Sequence, residues 1–195
     1  MRYYLFLFLL GLFGSCQESV SKSSAQEVEL EVPTHVSATS LVILGTIQDA
    51  GSPHIACKKD CCAQLFITPD PNRKVVSLGV IDPENSQSFL FEATPDISTQ
   101  VKALKEFSNT EKELPDGIFV THAHIGHYTG LMYLGKEATN AQQQPVYAMP
   151  KMKTFLETNG PWSQLVANEN ISIRSIQNEQ EVVLTTNLKV IPLQV

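Results

Sequence analysis

Three histidines lie within six residues in the middle of the chain. The segment from Thr121 to His127 reads THAHIGH and follows the apolar run IFV at 118–120. In an extended backbone alternate side chains point the same way, so His122 and His124 should project from one side of the strand end. A chain reversal into the next helix can bring His127 to the same point. Neutral imidazole is the commonest metal ligand and suits zinc, so this spacing predicts a metal site more readily than surface or helix-capping histidines.

A second group of possible metal ligands precedes it, in a loop that contains glycine and proline. The ligands are His54, Cys57, Cys61 and Cys62, and the Cys-x₃-Cys spacing is ordinary for structural zinc. A disulfide is an alternative in an oxidising compartment. Adjacent Cys61 and Cys62 are poorly placed to pair, because their Cα atoms are about 3.8 Å apart across a trans peptide. The sequence therefore favours a structural metal and leaves a disulfide or free buried thiols open.

The surrounding pattern must position these side chains. Apolar runs predict strands at 41–45, 64–68, 75–81, 88–93, 118–120 and 146–149, a final strand pair within 181–195, and helices at 97–107, 128–138 and 151–157. Strands and helices alternate after a strand-rich start, which favours an α/β layered sandwich. Asp96 either caps the helix at 97–107 or orients a metal-bound histidine. Asp49 either shapes its loop or lies near the metal site.

The histidine run resembles the H-x-H-x-D-H signature of the metallo-β-lactamase superfamily, and the residues YTGL at 128–131 match as well. The resemblance implies an αββα sandwich, with His122 and His124 as ligands of a first metal ion and His127 as a ligand of a second. Gly126 stands where the family has an aspartate that binds the second metal and positions the attacking water. No histidine follows His127, so the resemblance implies that the site is incomplete within these 195 residues.

The region before the histidines resembles one branch of that superfamily. An early strand, then GT at 45–46, QDAG at 48–51 and the Cys-rich loop are similar to the coenzyme PQQ synthesis protein B group and the phosphodiesterase of phosphonate breakdown. Members of this branch carry a structural zinc in that loop. The segment FEATPDI at 91–97 also resembles the PQQ synthesis protein B group. The resemblance implies one structural zinc ion and one or two ions in the active site.

The N-terminus predicts export. Arg2 and an apolar run over 3–13 precede Gly14-Ser15-Cys16, which resembles a bacterial lipobox, although an ordinary secretory signal is an alternative. We therefore expect a lipoprotein signal peptide at 1–15, a lipidated Cys16, a flexible tether over 16–39, and a domain from 40 that continues beyond Val195. The predicted location is the membrane, at the periplasm or the cell surface.

Composition and motifs narrow the function. The net charge is −6 and the 14 basic residues are scattered, so no nucleic-acid partner is expected. The leading hypothesis is a zinc-dependent hydrolase in which a metal-bound hydroxide attacks an ester, phosphodiester or lactone bond of a small-molecule substrate. The alternative is a lipid-anchored binding protein or pseudoenzyme of the same fold. A thiol-redox role for the three clustered cysteines is a third, weaker hypothesis.

Overall fold

A six-stranded mixed sheet organises residues 35–194, the part of the chain that this computed structural model describes. Its strands follow chain order: β1 (Ser40–Gly45), β2 (Ser77–Asp82), β3 (Gln87–Phe91), β4 (Gly117–Phe119), β5 (Gln144–Ala148) and β6 (Ile171–Ser175). Strands β1 to β3 pair antiparallel, and β3 to β6 pair parallel. The carboxyl ends of β3 and β4 therefore lie side by side at one edge of the sheet, where ligands bind in open α/β sheets.

The helices mostly follow the predicted pattern, with one wrong assignment. They are α1 (Asp60–Ile67), α2 (Ile97–Ser108), α3 (Ile125–Tyr128), α4 (Pro150–Thr158) and α5 (Trp162–Ala167), with a 3₁₀ helix over Thr129–Leu134. The helix predicted at 97–107 is confirmed. The strand predicted at 64–68 is wrong, because that segment continues α1 and exposes the apolar residues Phe66 and Ile67 instead of adding them to a sheet. A short apolar run alone does not separate a strand from a helix.

The helix predicted at 128–138 is also wrong, because the segment is not one continuous α-helix. Its residues divide between α3 and the 3₁₀ helix, which ends at Leu134. Gly130 lies so close to the turn after β3 that an added Cβ would be 2.1 Å from the Thr94 carbonyl oxygen. This close backbone approach accompanies the tighter helical turn.

The sheet buries both of its faces. Leu90, Ile118 and Val146 point to one face, where they share a core with residues of α2, α4 and α5. Phe89 and Phe119 point to the other face, which is covered by β7 (Val182–Val183) and β8 (Lys189–Val190), an antiparallel pair. Burial on both faces explains the nearly continuous apolar runs of the parallel strands. The layers are helix, sheet and sheet, so the predicted α/β sandwich class is confirmed.

The predicted N-terminal features lie largely outside this range. The signal peptide at 1–15, Cys16 and most of the tether over 16–39 are not among the described residues. From residue 35 to residue 194, none of the helices has both the length and the apolar character needed to cross a membrane.

Candidate metal centre

Two parallel strands bring an acid and the first histidine together. Glu92 directly follows β3, and its backbone N–H donates to the Phe119 carbonyl of β4 at 2.8 Å. Thr121, just beyond β4, donates its hydroxyl to the Glu92 carboxylate, and its Oγ1 lies 2.8 Å from Nδ1 of His122. Glu92 has a φ of +76°, a left-handed conformation that is uncommon for a residue with a Cβ and often occurs at functional sites. The turn therefore holds Glu92 beside the histidine loop.

The three histidines converge, but not in the predicted pairing. The ring centroids of His122 and His127 are 4.2 Å apart, those of His122 and His124 are 4.6 Å apart, and those of His124 and His127 are 6.5 Å apart. One ligand atom each from Glu92, His122 and His127 lies within 4.8 Å of the other two. The structure thus groups His122 with His127 and adds Glu92, while His124 lies outside this group.

The interior side of the group contains an unpaired nitrogen. His127 is buried, and its Nδ1 lies 3.5 Å from a carboxylate oxygen of Glu92 yet has no hydrogen-bond partner. Burial, and then the neighbouring His122, lower the pKa of His127, which favours the neutral ring. A buried polar atom without a partner requires an explanation, and neutral imidazole is the metal-binding form. The residues present therefore fit a bound divalent cation.

Burial also changes the pKa of Glu92, the acid of the group. It raises the pKa of Glu92 to about 7, against the opposing effect of the hydrogen bonds from Thr121. Without a positive neighbour the side chain is therefore partly protonated near neutral pH. A cation bound beside it would favour the carboxylate form.

Backbone hydrogen bonds fix the histidine loop to the turn after β3. The His127 N–H donates to the His124 carbonyl at 2.9 Å, and the His127 carbonyl accepts from Ala93 at 2.9 Å. Gly130 then donates to the Ala93 carbonyl at 2.8 Å. These bonds explain why an isolated short helix holds His127 in a defined place.

The Cys-rich loop does not form a comparable group. Cys57 is half-buried, Cys61 is exposed, Cys62 is buried, and all three are free thiols. His54 is exposed, with Nδ1 3.2 Å from the Ile55 carbonyl oxygen. Between residues 35 and 194, the Glu92 group is the one set of three or more such side chains with ligand atoms this close together. The cysteines form no disulfide in this structure, and the structural zinc stays a prediction.

The two aspartates singled out in the sequence have different surroundings. The Asp96 carboxylate accepts a hydrogen bond from the Val75 N–H at 2.8 Å, so it ties the start of α2 to the segment before β2. Asp96 is the N-cap residue of α2, as predicted, but its side chain makes no capping hydrogen bond; its role in orienting a metal-bound histidine stays a prediction. Asp49, in contrast, places Oδ2 3.9 Å from Nδ1 of His124.

Glu92 is the site residue that sequence reasoning missed. Its strand was predicted, but its role was not. The available signal was an acid at the carboxyl end of an apolar strand, FLFE at 89–92, beside the strand that leads to the histidines. Recognising it required the strand order as well as the sequence.

Comparison with known proteins agrees with this geometry. A family model described as "Beta-lactamase superfamily domain" matches residues 87–195, more than half of the chain and the part that contains the Glu92 group. The chain belongs to the metallo-β-lactamase superfamily. In a comparison with curated proteins, no sequence matches this chain.

Solved structures with this metallo-β-lactamase fold resemble the chain. Zn²⁺-bound PqqB from Methylobacterium extorquens is 22% identical with a TM-score of 0.64, over 80% of this chain and 55% of that one. A diphosphatase from the PhnP family is 24% identical with a TM-score of 0.53, over 75% of this chain and 53% of that one. The chain therefore spans about half the length of these structures. The predicted family and its likeness to PqqB are confirmed.

Proposed function

We propose that this protein is a metal-dependent hydrolase, with zinc as the metal. The observation that carries the proposal is the convergence of Glu92, His122 and His127, with a buried unpaired nitrogen on His127. Carboxylate and imidazole are a common ligand set for catalytic zinc. The zinc in the solved PqqB structure supports the choice of metal.

A cavity beside this group gives room for a small-molecule substrate. Its volume is about 460 Å³, and its lining includes His122, Thr121, Met149, Phe155 and Lys151. That volume lies within the usual range of about 300–1,000 Å³ for ligand pockets. Apolar side chains would bind the body of a substrate, and the Lys151 ammonium would attract an anionic group such as a phosphodiester.

The chemistry follows from the roles of these side chains. A zinc ion bound here would supply Lewis acidity and an activated water for attack on an ester, phosphodiester or lactone bond. Glu92, His122 and His127 would hold the ion. Thr121 would orient the Glu92 carboxylate through its hydroxyl, as outer hydrogen bonds do for metal ligands generally.

The test compares Glu92→Gln and His122→Ala with the parent full chain. We expect each change to lower zinc affinity by about 10-fold or more and to remove hydrolysis of bis(p-nitrophenyl) phosphate, p-nitrophenyl acetate or a simple lactone. Glu113→Gln is the matched control, because Glu113 is exposed and pairs with Lys105 at the surface. If the parent binds no zinc, or if both variants keep parental affinity, the proposed centre is wrong.

A binding protein of the same fold is the second candidate. Gly126 favours it, because this position provides no side-chain ligand. A parent that binds zinc through Glu92 and His122, but cleaves none of the three substrate types, would support binding over hydrolysis.

We also propose that the protein is exported and anchored to the membrane by a lipid on Cys16. The lipobox-like sequence supports this. Expression of the full chain in a bacterium with radiolabelled palmitate should label the parent and not Cys16→Ser. Equal labelling of the two proteins would refute the anchor.

A further inference from the structure

The cavity beside the Glu92 group has walls from two neighbouring strands. One wall is formed by Thr121, His122 and Ala123, in the loop after β4. The other begins at Met149, directly after β5, and continues into α4. Because β4 and β5 are parallel neighbours, their carboxyl ends open into the same space. A molecule bound in the cavity therefore lies against His122, which belongs to the Glu92 group.

The wall formed by α4 is apolar and fixed by packing. Met152 is buried, and Phe155 is half-buried. The ring centroid of Phe155 lies 5.3 Å from that of Tyr128, edge-to-face, and 5.6 Å from that of Trp162. Aromatic pairs at these separations stabilise each other. Met149 packs against the core on the other face of the sheet. The apolar surface is therefore in place before a ligand binds.

The charges around the cavity have one sign. Between residues 35 and 194, no aspartate or glutamate lines it, and apart from His122 its basic side chain is Lys151. Lys151 is exposed, whereas the adjacent Met152 is buried, so the ammonium group lies at the rim and the apolar surface lies inside. An ammonium group donates to anionic oxygens, and an apolar surface gains free energy by covering hydrocarbon. The cavity is therefore complementary to an anion that also carries a hydrocarbon group.

We propose that the substrate is an amphiphilic phosphodiester, in which one ester group is an alkyl chain. The phosphodiester lies at the rim between His122 and Lys151, and the alkyl chain lies against Met149, Met152 and Phe155. This inference rests on the proposed function and names its substrate class. Hydrolysis joins the oxygen of water to phosphorus and breaks one P–O ester bond. The products are a phosphate monoester and an alcohol, which takes the proton.

The experiment makes two measurements on the full chain. The first is the binding of methyl phosphate and hexyl phosphate to the metal-free protein, followed by calorimetry. The second is kcat/KM with zinc for p-nitrophenyl phosphodiesters whose second ester group is methyl, butyl or hexyl. Each methylene that reaches the apolar wall should raise affinity and kcat/KM by up to about fourfold, the equivalent of ~0.8 kcal/mol. We expect hexyl phosphate to bind at least about 10-fold more tightly than methyl phosphate, and kcat/KM to rise with chain length.

Met149→Gln tests the apolar wall, because glutamine has a similar length and is polar. We expect it to lower the ratio of hexyl to methyl affinity by at least about fivefold. Met132→Gln is the matched control, because Met132 is exposed on the 3₁₀ helix and does not line the cavity. A general loss of stability would weaken both ligands, whereas a lost apolar contact changes their ratio.

Lys151→Gln tests the charge at the rim. It should weaken methyl phosphate and hexyl phosphate by the same factor, about fivefold or more at low salt, and leave their ratio unchanged. Added salt should reduce this difference, because the ammonium group is exposed and screened. Lys102→Gln is the control, because Lys102 is exposed on α2 and lies near Glu106; it should bind both ligands as the parent does.

The outcomes separate this inference from the proposed function. Equal binding of methyl phosphate and hexyl phosphate would overturn the inference, even if the zinc-loaded protein hydrolyses phosphodiesters. A chain-length preference that Met149→Gln leaves unchanged would also overturn it, as would affinities that Lys151→Gln leaves unchanged. A parent that prefers hexyl phosphate but binds no zinc would contradict the proposed hydrolase and keep the assignment of the cavity.

Discussion

Replacing Gly126 with alanine tests the close approach between the histidine loop and residue 49. The new methyl carbon would lie 2.2 Å, 2.6 Å and 2.7 Å from the carbonyl oxygen, Cβ and carbonyl carbon of Asp49. Two of these three atoms are backbone, so no side-chain rotation relieves the contact. The loop containing Asp49, or α3, must move by about 1 Å.

Two opposing effects set the size of the change. Overpacking in a well-packed region costs about 1–3 kcal/mol, and the rigid backbone partner places this case near the upper end. Alanine in place of glycine in a helix contributes about 1 kcal/mol in the other direction. The clash therefore wins, and we expect the free energy of unfolding to fall by about 2 kcal/mol. For a domain of this size, that corresponds to a fall in Tm of roughly 4–8 °C.

Urea unfolding followed by circular dichroism measures this difference. Gly160→Ala is the matched control, because its added Cβ would meet no heavy atom within 4 Å, and its free energy of unfolding should stay within about 0.5 kcal/mol of the parent. A variant as stable as the parent would refute the reasoning from the close contact.

Two further predictions concern a buried acid and the thiols. The hydroxyl of Thr185 donates to buried Asp82 and, as the largest cause, lowers the pKa of that carboxylate below its ordinary 3.8. The ionised Asp82 carboxylate therefore stabilises the folded state fully above about pH 4, and this stabilisation is lost as the pH falls through the lowered pKa. Thr185→Val should lower the free energy of unfolding by about 1 kcal/mol at pH 7 and by less at pH 3. Thr186→Val is the control: it removes only an exposed hydrogen bond to Asn85, so the free energy of unfolding should fall by less than about 0.5 kcal/mol, and by the same amount at both pH values. An equal loss at pH 7 and pH 3 in the Thr185→Val protein, measured by urea unfolding, would contradict the prediction. A maleimide reagent should label exposed Cys61 at least 10-fold faster than buried Cys62, and slow labelling of both after zinc addition would support the structural zinc site.

Much of the fold could be predicted because the apolar pattern is strong where both sheet faces are buried. The runs that became β3, β4 and β5 have no other stable place than a two-faced core. The segment at 64–68 failed because a short apolar run carries no information about its partners, and here it has no strand neighbour. A final strand pair was predicted within 181–195, and β7 and β8 form it, but only two residues of each strand pair.

The candidate site also combines residues that the sequence could predict with residues that it could not. His122, His124 and His127 are close in sequence, so local spacing predicted that they converge, but it did not predict that His122 and His127 would form the group with Glu92. Glu92 and Asp49 reach the site through strand order and loop packing, which no spacing rule contains. Sequence reasoning noted that Gly126 lacks the expected aspartate, but it could not show that the backbone of Asp49, 77 positions earlier, occupies the space that a side chain at position 126 would need.

That contact has a consequence for how the sequence can vary over evolutionary time. An aspartate at position 126 cannot be gained by one neutral substitution while the loop at 46–51 keeps its path, because the two segments compete for the same space. The loop must change its path first, and that step would remove the Asp49 carboxylate from the histidines. The two positions are therefore epistatic. Libraries that vary residue 126 and the loop at 46–51 together should yield stable proteins that neither library yields alone.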